Sequence, residues 1–252
     1  FHGAHTPVEF KKMVSESNNL KENEGIETQI IYKSDQKNEI NSDLYHGGVV
    51  FPQHASLNAA KYHKDLIEKA IGLGVSVISN CEIVDFKKKL DEFSVLTNKG
   101  PLTANNLVVA TNGYTSNVTP WLNKRNIPIG SYVIATEELP INYISSLFPT
   151  NRHITDTCRV VYYFRPSPDR KRIIFGGRVS SREISLSKSA PLLLKDLKRV
   201  FPDLPELKIS HSWMGYVSYT FDHLPHTGSE DGLYYSMGCL LYTSPSPRDI
   251  GE

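Results

Sequence analysis

The chain has 252 residues, 39% of them hydrophobic and 22% charged, with a formal net charge of +1. This composition counts against a disordered chain. The near-neutral charge gives no reason to expect nucleic acid or a membrane surface as a partner. Cys81, Cys158 and Cys239 are odd in number and far apart. That counts against a disulfide framework or a four-ligand zinc site and suits a reducing, cytoplasmic setting. No apolar run approaches the ~18 residues of a transmembrane helix. The start, Phe1-His2-Gly3, has no initiating Met and no signal-peptide character, so the chain is expected to begin in mid-protein.

Residues 1–45 are polar, with a helix expected from Pro7 to Ser17. The stretch Tyr45-His46-Gly47-Gly48-Val49-Val50-Phe51-Pro52 bends at its glycines and ends at proline. A helix is expected from Ser56 to Leu73, where Leu57, Ala60, Ile67, Ala70 and Ile71 recur at near-helical spacing. Ser56 is its candidate N-cap, and Gly72 or Gly74 its stop. Short strands are then expected at 75–78, 82–86 and 93–97, with a turn at Asn98-Lys99-Gly100. The apolar run 106–110 reads as a strand buried on both faces. Helix, strand, hairpin and buried strand in this order form the latter part of an α/β nucleotide-binding domain.

From Pro128 the texture changes. Strands with aromatic residues are expected at 129–136, 159–165, 172–177 and 209–219. Ser167-Pro168-Asp169-Arg170 is the hairpin turn, and 192–201 an amphipathic helix closed by Pro202. Region 128–222 is thus mostly antiparallel sheet, and 232–237 returns as a strand. The basic stretches Lys87-Lys88-Lys89 and Asp169-Arg170-Lys171-Arg172 read as solvated turns. After Cys239 the chain becomes Ser/Pro-rich, which neither helix nor strand can use. Residues 240–252 read as a non-native tail.

Most short motifs dissolve on inspection. Gly72-Leu73-Gly74 ends a helix, whereas a dinucleotide fingerprint opens one, and no GxGxxG occurs in the chain. His46-Gly47-Gly48 lacks the GxSxG nucleophile elbow that an esterase needs. The nine histidines show no metal spacing. More informative is a set of stretches in order: Asp43-Leu44-Tyr45-His46-Gly47-Gly48; Cys81-Glu82-Ile83-Val84; Ala110-Thr111-Asn112-Gly113-Tyr114; Tyr162-Tyr163-Phe164-Arg165 before Phe175-Gly176-Gly177-Arg178; and Trp213-Met214-Gly215 with Thr220-Phe221-Asp222-His223-Leu224-Pro225-His226-Thr227-Gly228. Together, over residues 5–239, they resemble the FAD-dependent D-amino-acid oxidase/glycine oxidase superfamily, and most of all the branch containing gamma-glutamylputrescine oxidoreductase.

The resemblance implies a mixed fold, α/β plus α+β. A partial Rossmann-like FAD-binding domain would occupy 1–127, without its first βαβ unit, and return at 223–239. An antiparallel-sheet substrate domain would occupy 128–222. It implies FAD as cofactor, with Val84, Ala110, Thr111, Asn112, Gly113 and Gly238 beside it. The strand end at 110–113 would be small because backbone must approach the flavin closely. It implies oxidation of the C–N bond of a small amine or amino acid, with oxygen as acceptor, and Tyr162, Phe164, Arg178, Trp213 and Tyr216 at the substrate. Relatives that oxidise amino acids commonly carry an Arg shortly after Trp-x-Gly to hold the substrate carboxylate. Here Tyr216-Val217-Ser218-Tyr219 follows, which points to an amine without an α-carboxylate unless Arg165 or Arg178 substitutes. This stretch alone is expected to bind FAD weakly or not at all. The competing readings are a non-catalytic flavoprotein-like scaffold and an unrelated hydrolase whose nucleophile is not evident.

Overall fold

The computed structural model describes residues 1–158, 160–179 and 183–239. The expectation of a non-native tail at 240–252 lies outside the described residues. In chain order the elements are β1 (His2–Gly3), α1 (Pro7–Asn19), β2 (Gln29–Ile31), β3 (Gly48–Val50), α2 (Ala59–Gly72), β4 (Ile83–Lys89), β5 (Glu92–Thr97), β6 (Gly100–Ala104), β7 (Leu107–Val109), α3 (Pro120–Asn123), β8 (Ile127–Thr136), α4 (Ile141–Leu147), β9 (Ile154–Asp156), β10 (Tyr162–Pro166), β11 (Ile173–Gly177), α5 (Leu186–Val200), β12 (Ile209–Tyr219), β13 (His226–Glu230) and β14 (Leu233–Met237). The mixture of two parallel pairs, antiparallel strands and helices is the expected fold class.

Contacts divide the chain into two compact units. The first joins Phe1–His63 to Ser131–Met214; the second joins Lys64–Gly130 to the residues from Gly215 onward. Residues 1–63 therefore share a unit with 131–214, whereas the sequence grouped them with 64–127. The cause is strand pairing. β1 lies parallel to β9, with His2 opposite Thr155, and β3 and β2 extend outward from β1.

The large sheet has the order β12-β8-β11-β10-β9-β1-β3-β2. Its strands alternate, and one face is buried. Tyr162, Phe164, Ile173, Phe175 and Ile134 pack with Phe148 and Phe201. α5 seals this face because Ala190, Leu193, Leu197 and Val200 recur at spacings of three and four. The helix runs from Leu186 through Pro191, whereas the sequence reading began it at Leu192.

The second unit holds two small sheets, β4-β5-β6 and β13-β14-β7. α2 is capped by Asn58, not Ser56: the Asn58 Oδ1 accepts from the Lys61 N–H at 3.1 Å. It stops at Gly74, whose φ is +92°. The Gly74 N–H bonds to the Ile71 carbonyl at 2.9 Å and the Val75 N–H to the Ala70 carbonyl at 3.1 Å. That pair of bonds is a Schellman stop.

Three expectations need correction. Residues 75–78 form no strand, because no neighbour among the described residues pairs with them, and Val77 stays 54% exposed. β7 is not buried on both faces. It is an edge strand, paired with β14 alone, and Val108 is 67% exposed. Lys87-Lys88-Lys89 lies on β4, not in a turn; Lys88 pairs with the Asp231 carboxylate and lies over the Phe93 ring.

Candidate functional site

In the second unit, β7 and β14 run parallel, with Leu107, Val108 and Val109 opposite Leu233, Tyr234 and Tyr235. Both strands therefore end at the same edge. Open parallel sheets present ligands with that edge, where the chain turns out of the ladder. Beyond β7 come Ala110 and Thr111, both exposed, then a short 3₁₀ turn over Asn112–Tyr114. Beyond β14 comes Gly238 at φ +78°.

A polar network, buried at Asn126 and Ser218 and partly buried at Asn112 and Cys239, ties the two strand ends together. The Asn112 Oδ1 accepts from the Cys239 N–H at 3.1 Å, and its Nδ2 donates to the Cys239 carbonyl at 3.2 Å. The Asn126 Nδ2 donates to the Asn112 carbonyl at 2.8 Å. The Ser218 hydroxyl donates to the Asn126 Oδ1 and accepts from the Gly238 N–H. Such groups must be satisfied once desolvated, so the network fixes the backbone at both ends. Asn112 has φ +47°, which asparagine tolerates better than most residues.

The glycines here are explained by packing. A Cβ on Gly113 would lie 2.7 Å from the Tyr216 Cβ and 2.8 Å from its carbonyl oxygen. A Cβ on Gly238 would lie 2.7 Å from the Leu224 carbonyl oxygen. Tyr114 secures the same contact, with its ring edge-on to Tyr216 at 5.1 Å. The Thr220–Gly228 stretch is a locked turn. Asp222 accepts from Thr220, from the Leu224 N–H and from His226, and the His226 bond foremost holds its carboxyl well below the usual carboxylate range.

Of the residues expected at the cofactor, Ala110, Thr111, Asn112, Gly113 and Gly238 thus come together, and Tyr216 joins them. Val84 sits apart, on β4, at a register irregularity between Ile83 and Asp85. Asn126 and Ser218 were missed by sequence reasoning. Little in the sequence signalled either, since Ser218 is one of three serines on its strand.

In the first unit, alternation sorts the residues expected at the substrate. Tyr162 and Phe164 point to the buried face, and Phe164 is 1% exposed among Phe148, Phe175 and Phe201. Tyr162 and Arg178 line one open pocket of about 410 Å³ with Leu192, Lys195, Asp196 and Arg199. Burial, and then the Asp196 carboxylate, push the Tyr162 hydroxyl up to about 12. Trp213 lies on β12 and is 43% exposed. The opposite sheet face carries Tyr163 and Arg165; of these the sequence reading named only Arg165, as a substitute for the missing carboxylate-binding arginine.

A parallel pair ending in a locked, exposed turn in one unit, and a large mostly antiparallel sheet in the other, make a mixed fold of α/β and α+β type. The family model for FAD dependent oxidoreductases matches residues 2–244, and the chain belongs to that family. A probable oxidoreductase OrdL of Haemophilus influenzae is 27% identical over 215 residues, covering 83% of this chain and 49% of that protein. Gamma-glutamylputrescine oxidoreductase of Escherichia coli is 34% identical over 146 residues, 57% of this chain and 34% of that protein. The chain thus spans half or less of the length of these relatives. Among solved structures, glycine oxidase from Geobacillus kaustophilus superposes with a TM-score of 0.77 at 17% identity, covering 94% of this chain and 64% of that one. L-proline dehydrogenase from P. horikoshii gives 0.75 at 17% identity, covering 94% and 65%. At these identities the likeness is one of fold. No helix among the described residues is long and apolar enough to cross a membrane.

Proposed function

We propose that the protein carrying this chain oxidises the C–N bond of an amine or amino acid, with FAD as cofactor and oxygen as the final acceptor. The observation that carries this reading is the pair of parallel strand ends, Ala110-Thr111 and Gly238, locked by Asn112 in a member of an FAD-defined family. Bound FAD supplies the two-electron oxidant, and water then hydrolyses the resulting imine to a carbonyl compound and the released amine.

The residues present fit one wall of such a site. The exposed backbone at Ala110 and Thr111 would meet the cofactor, while Asn112, Gly113 and Gly238 hold that backbone in place. Val84 would offer backbone to the adenine. Arg178, Trp213, Tyr216 and the Tyr162 hydroxyl remain the proposed substrate contacts, whereas Phe164 acts by packing. The chain by itself is proposed to bind FAD weakly, because it contains no GxGxxG to cradle the pyrophosphate. The names of the relatives make γ-glutamyl amines, glycine and proline the first compounds to try.

The test is to express the full-length protein and record its absorption. A flavin spectrum bleached by one of these amines without oxygen, and restored by air, supports the reading. A folded full-length protein with no flavin refutes it and favours the scaffold alternative.

A further inference from the structure

The turn after β7 is built on a chemically labile pair. Asn112-Gly113 is the one Asn-Gly pair in the chain. Asparagine is a thermolabile residue, and a following glycine has no side chain to shield its backbone nitrogen from the carboxamide. The fold nonetheless demands both residues. Asn112 sits at φ +47°, which asparagine tolerates, and its carboxamide bonds both backbone groups of Cys239. Gly113 is buried against Tyr216, where a Cβ would lie 2.7 Å from the Tyr216 Cβ. The turn therefore cannot trade this glycine for a more protective residue.

The hydrogen bonds around the pair oppose its reaction from both sides. On one side, the carboxamide is held by Cys239. On the other, the Asn112 carbonyl accepts from three donors. These are the Thr115 hydroxyl at 2.7 Å, the Asn126 Nδ2 at 2.8 Å and the Thr115 N–H at 3.1 Å. That carbonyl shares a rigid planar unit with the Gly113 nitrogen. Closing a ring between this nitrogen and the carboxamide carbon needs them at bonding distance. Either the side chain must swing away from Cys239, or the peptide unit must turn away from Thr115 and Asn126. Both are tied down as long as the strand end at Gly238-Cys239 is in place.

We propose that Asn112 is a deamidation site gated by its clamp to Cys239. With the clamp open, the Gly113 nitrogen attacks the Asn112 Cγ. The new C–N bond forms as the Cγ–Nδ2 bond breaks, and ammonia leaves with the proton of the Gly113 N–H. Solvent water then opens the imide ring at one of its two carbonyl carbons, giving an aspartyl or an isoaspartyl linkage. Neither product remakes the clamp. The aspartyl form has lost the donor to the Cys239 carbonyl, and the isoaspartyl form lengthens the backbone by a methylene. The conversion is therefore a one-way loss of the backbone edge at Ala110-Thr111. This rests on the FAD reading above and adds regulation to the same site: a bound cofactor, by holding that edge closed, delays its loss.

The experiment follows the full-length protein by peptide mass, reading the gain from amide to acid at Asn112, which needs no flavin. Conversion should run about a hundredfold or more faster in guanidinium chloride than in native buffer, because the open form is then always present. Ser218→Ala removes a partner of Asn126 and of the Gly238 N–H. It should speed conversion in native buffer about tenfold. Free FAD at about a hundred times its Kd should slow conversion about a hundredfold. Equal rates at Asn112 in native buffer and in denaturant overturn the proposal. So does a denatured protein in which Asn112 stays an amide while other asparagines convert, or a folded Ser218→Ala protein that converts at the wild-type rate. Bound FAD that leaves the rate unchanged overturns the link to the cofactor. A protein that takes up no flavin defeats the oxidase reading, yet native buffer against denaturant still decides whether the clamp gates Asn112.

Discussion

The Asn112 carboxamide meets both backbone groups of Cys239, at 3.1 Å and 3.2 Å. Asn112→Asp keeps the size but puts an oxygen against the Cys239 carbonyl. The expected cost is about 1–3 kcal/mol, read from the urea midpoint of the chain. An unchanged midpoint would show that the clamp contributes nothing. His153 yields a second prediction at this scale. Its folded value is pushed from 6.5 down to about 4 by burial and then by Arg165. Between those values the unfolded chain holds a proton that the folded chain does not, so stability falls as pH drops through that window. His153→Asn should flatten the stability–pH curve between about 4 and 6.5. A curve that keeps its full slope would place the acid sensitivity elsewhere. Most of this was hidden in the sequence. Asn112 was legible because it follows an apolar strand in a polar turn, but Asn126 and Ser218 reach it only through tertiary contacts.

At the scale of elements, two substitutions separate backbone from packing. A Cβ on Gly74 would meet nothing within 4 Å, yet the residue sits at φ +92°. Gly74→Ala should therefore cost only the left-handed strain, about 1–2 kcal/mol, and Gly74→Asn less. Equal losses for both variants would mean that the Schellman stop is not the cause. Leu197 is fully buried on the sealing face of α5. Leu197→Ala should cost about 2–5 kcal/mol, measured by the same denaturation, since the cavity forms in a core that cannot collapse around it. Helices with clear apolar spacing were legible, α2 in nearly its full length and α5 from Leu192 onward. So was the hairpin of β10 and β11, whose turn residues announce it. The strand expected at 75–78 failed because propensity cannot supply a partner, and a strand without a ladder is only extended chain.

Over the whole molecule the core is uneven. Nearly all large buried side chains belong to the first unit, while the second contributes Phe93, Val95, Leu122 and Met237. Local stability follows buried apolar contact, so the units should open at different free energies. In hydrogen exchange of the chain, amides of β7 and β14 should exchange well before those of β10 and β11. Uniform protection across both pairs would refute this. The exposed apolar residues of α2, of 75–78 and of β7 point the same way. They carry a core-forming pattern without the cover that such a pattern demands.

The sequence by itself determined the family, the fold class and the turn at which the parallel strands end. These depend on local chemistry: apolar runs, glycine and asparagine at turns, and motifs in a set order. Only the tertiary structure decided which residues share a face. A strand alternates with a period of two, so Tyr162 and Phe164 were as eligible for a pocket as Tyr163 and Arg165. Packing against α5 settled the choice, burying Phe164 completely, leaving Tyr162 at a pocket beside that helix, and setting Tyr163 and Arg165 on the other face. Pairing of β1 with β9 likewise moved residues 1–63 to the sheet of 131–214, since a bond between strands far apart in the chain leaves no mark in either stretch alone.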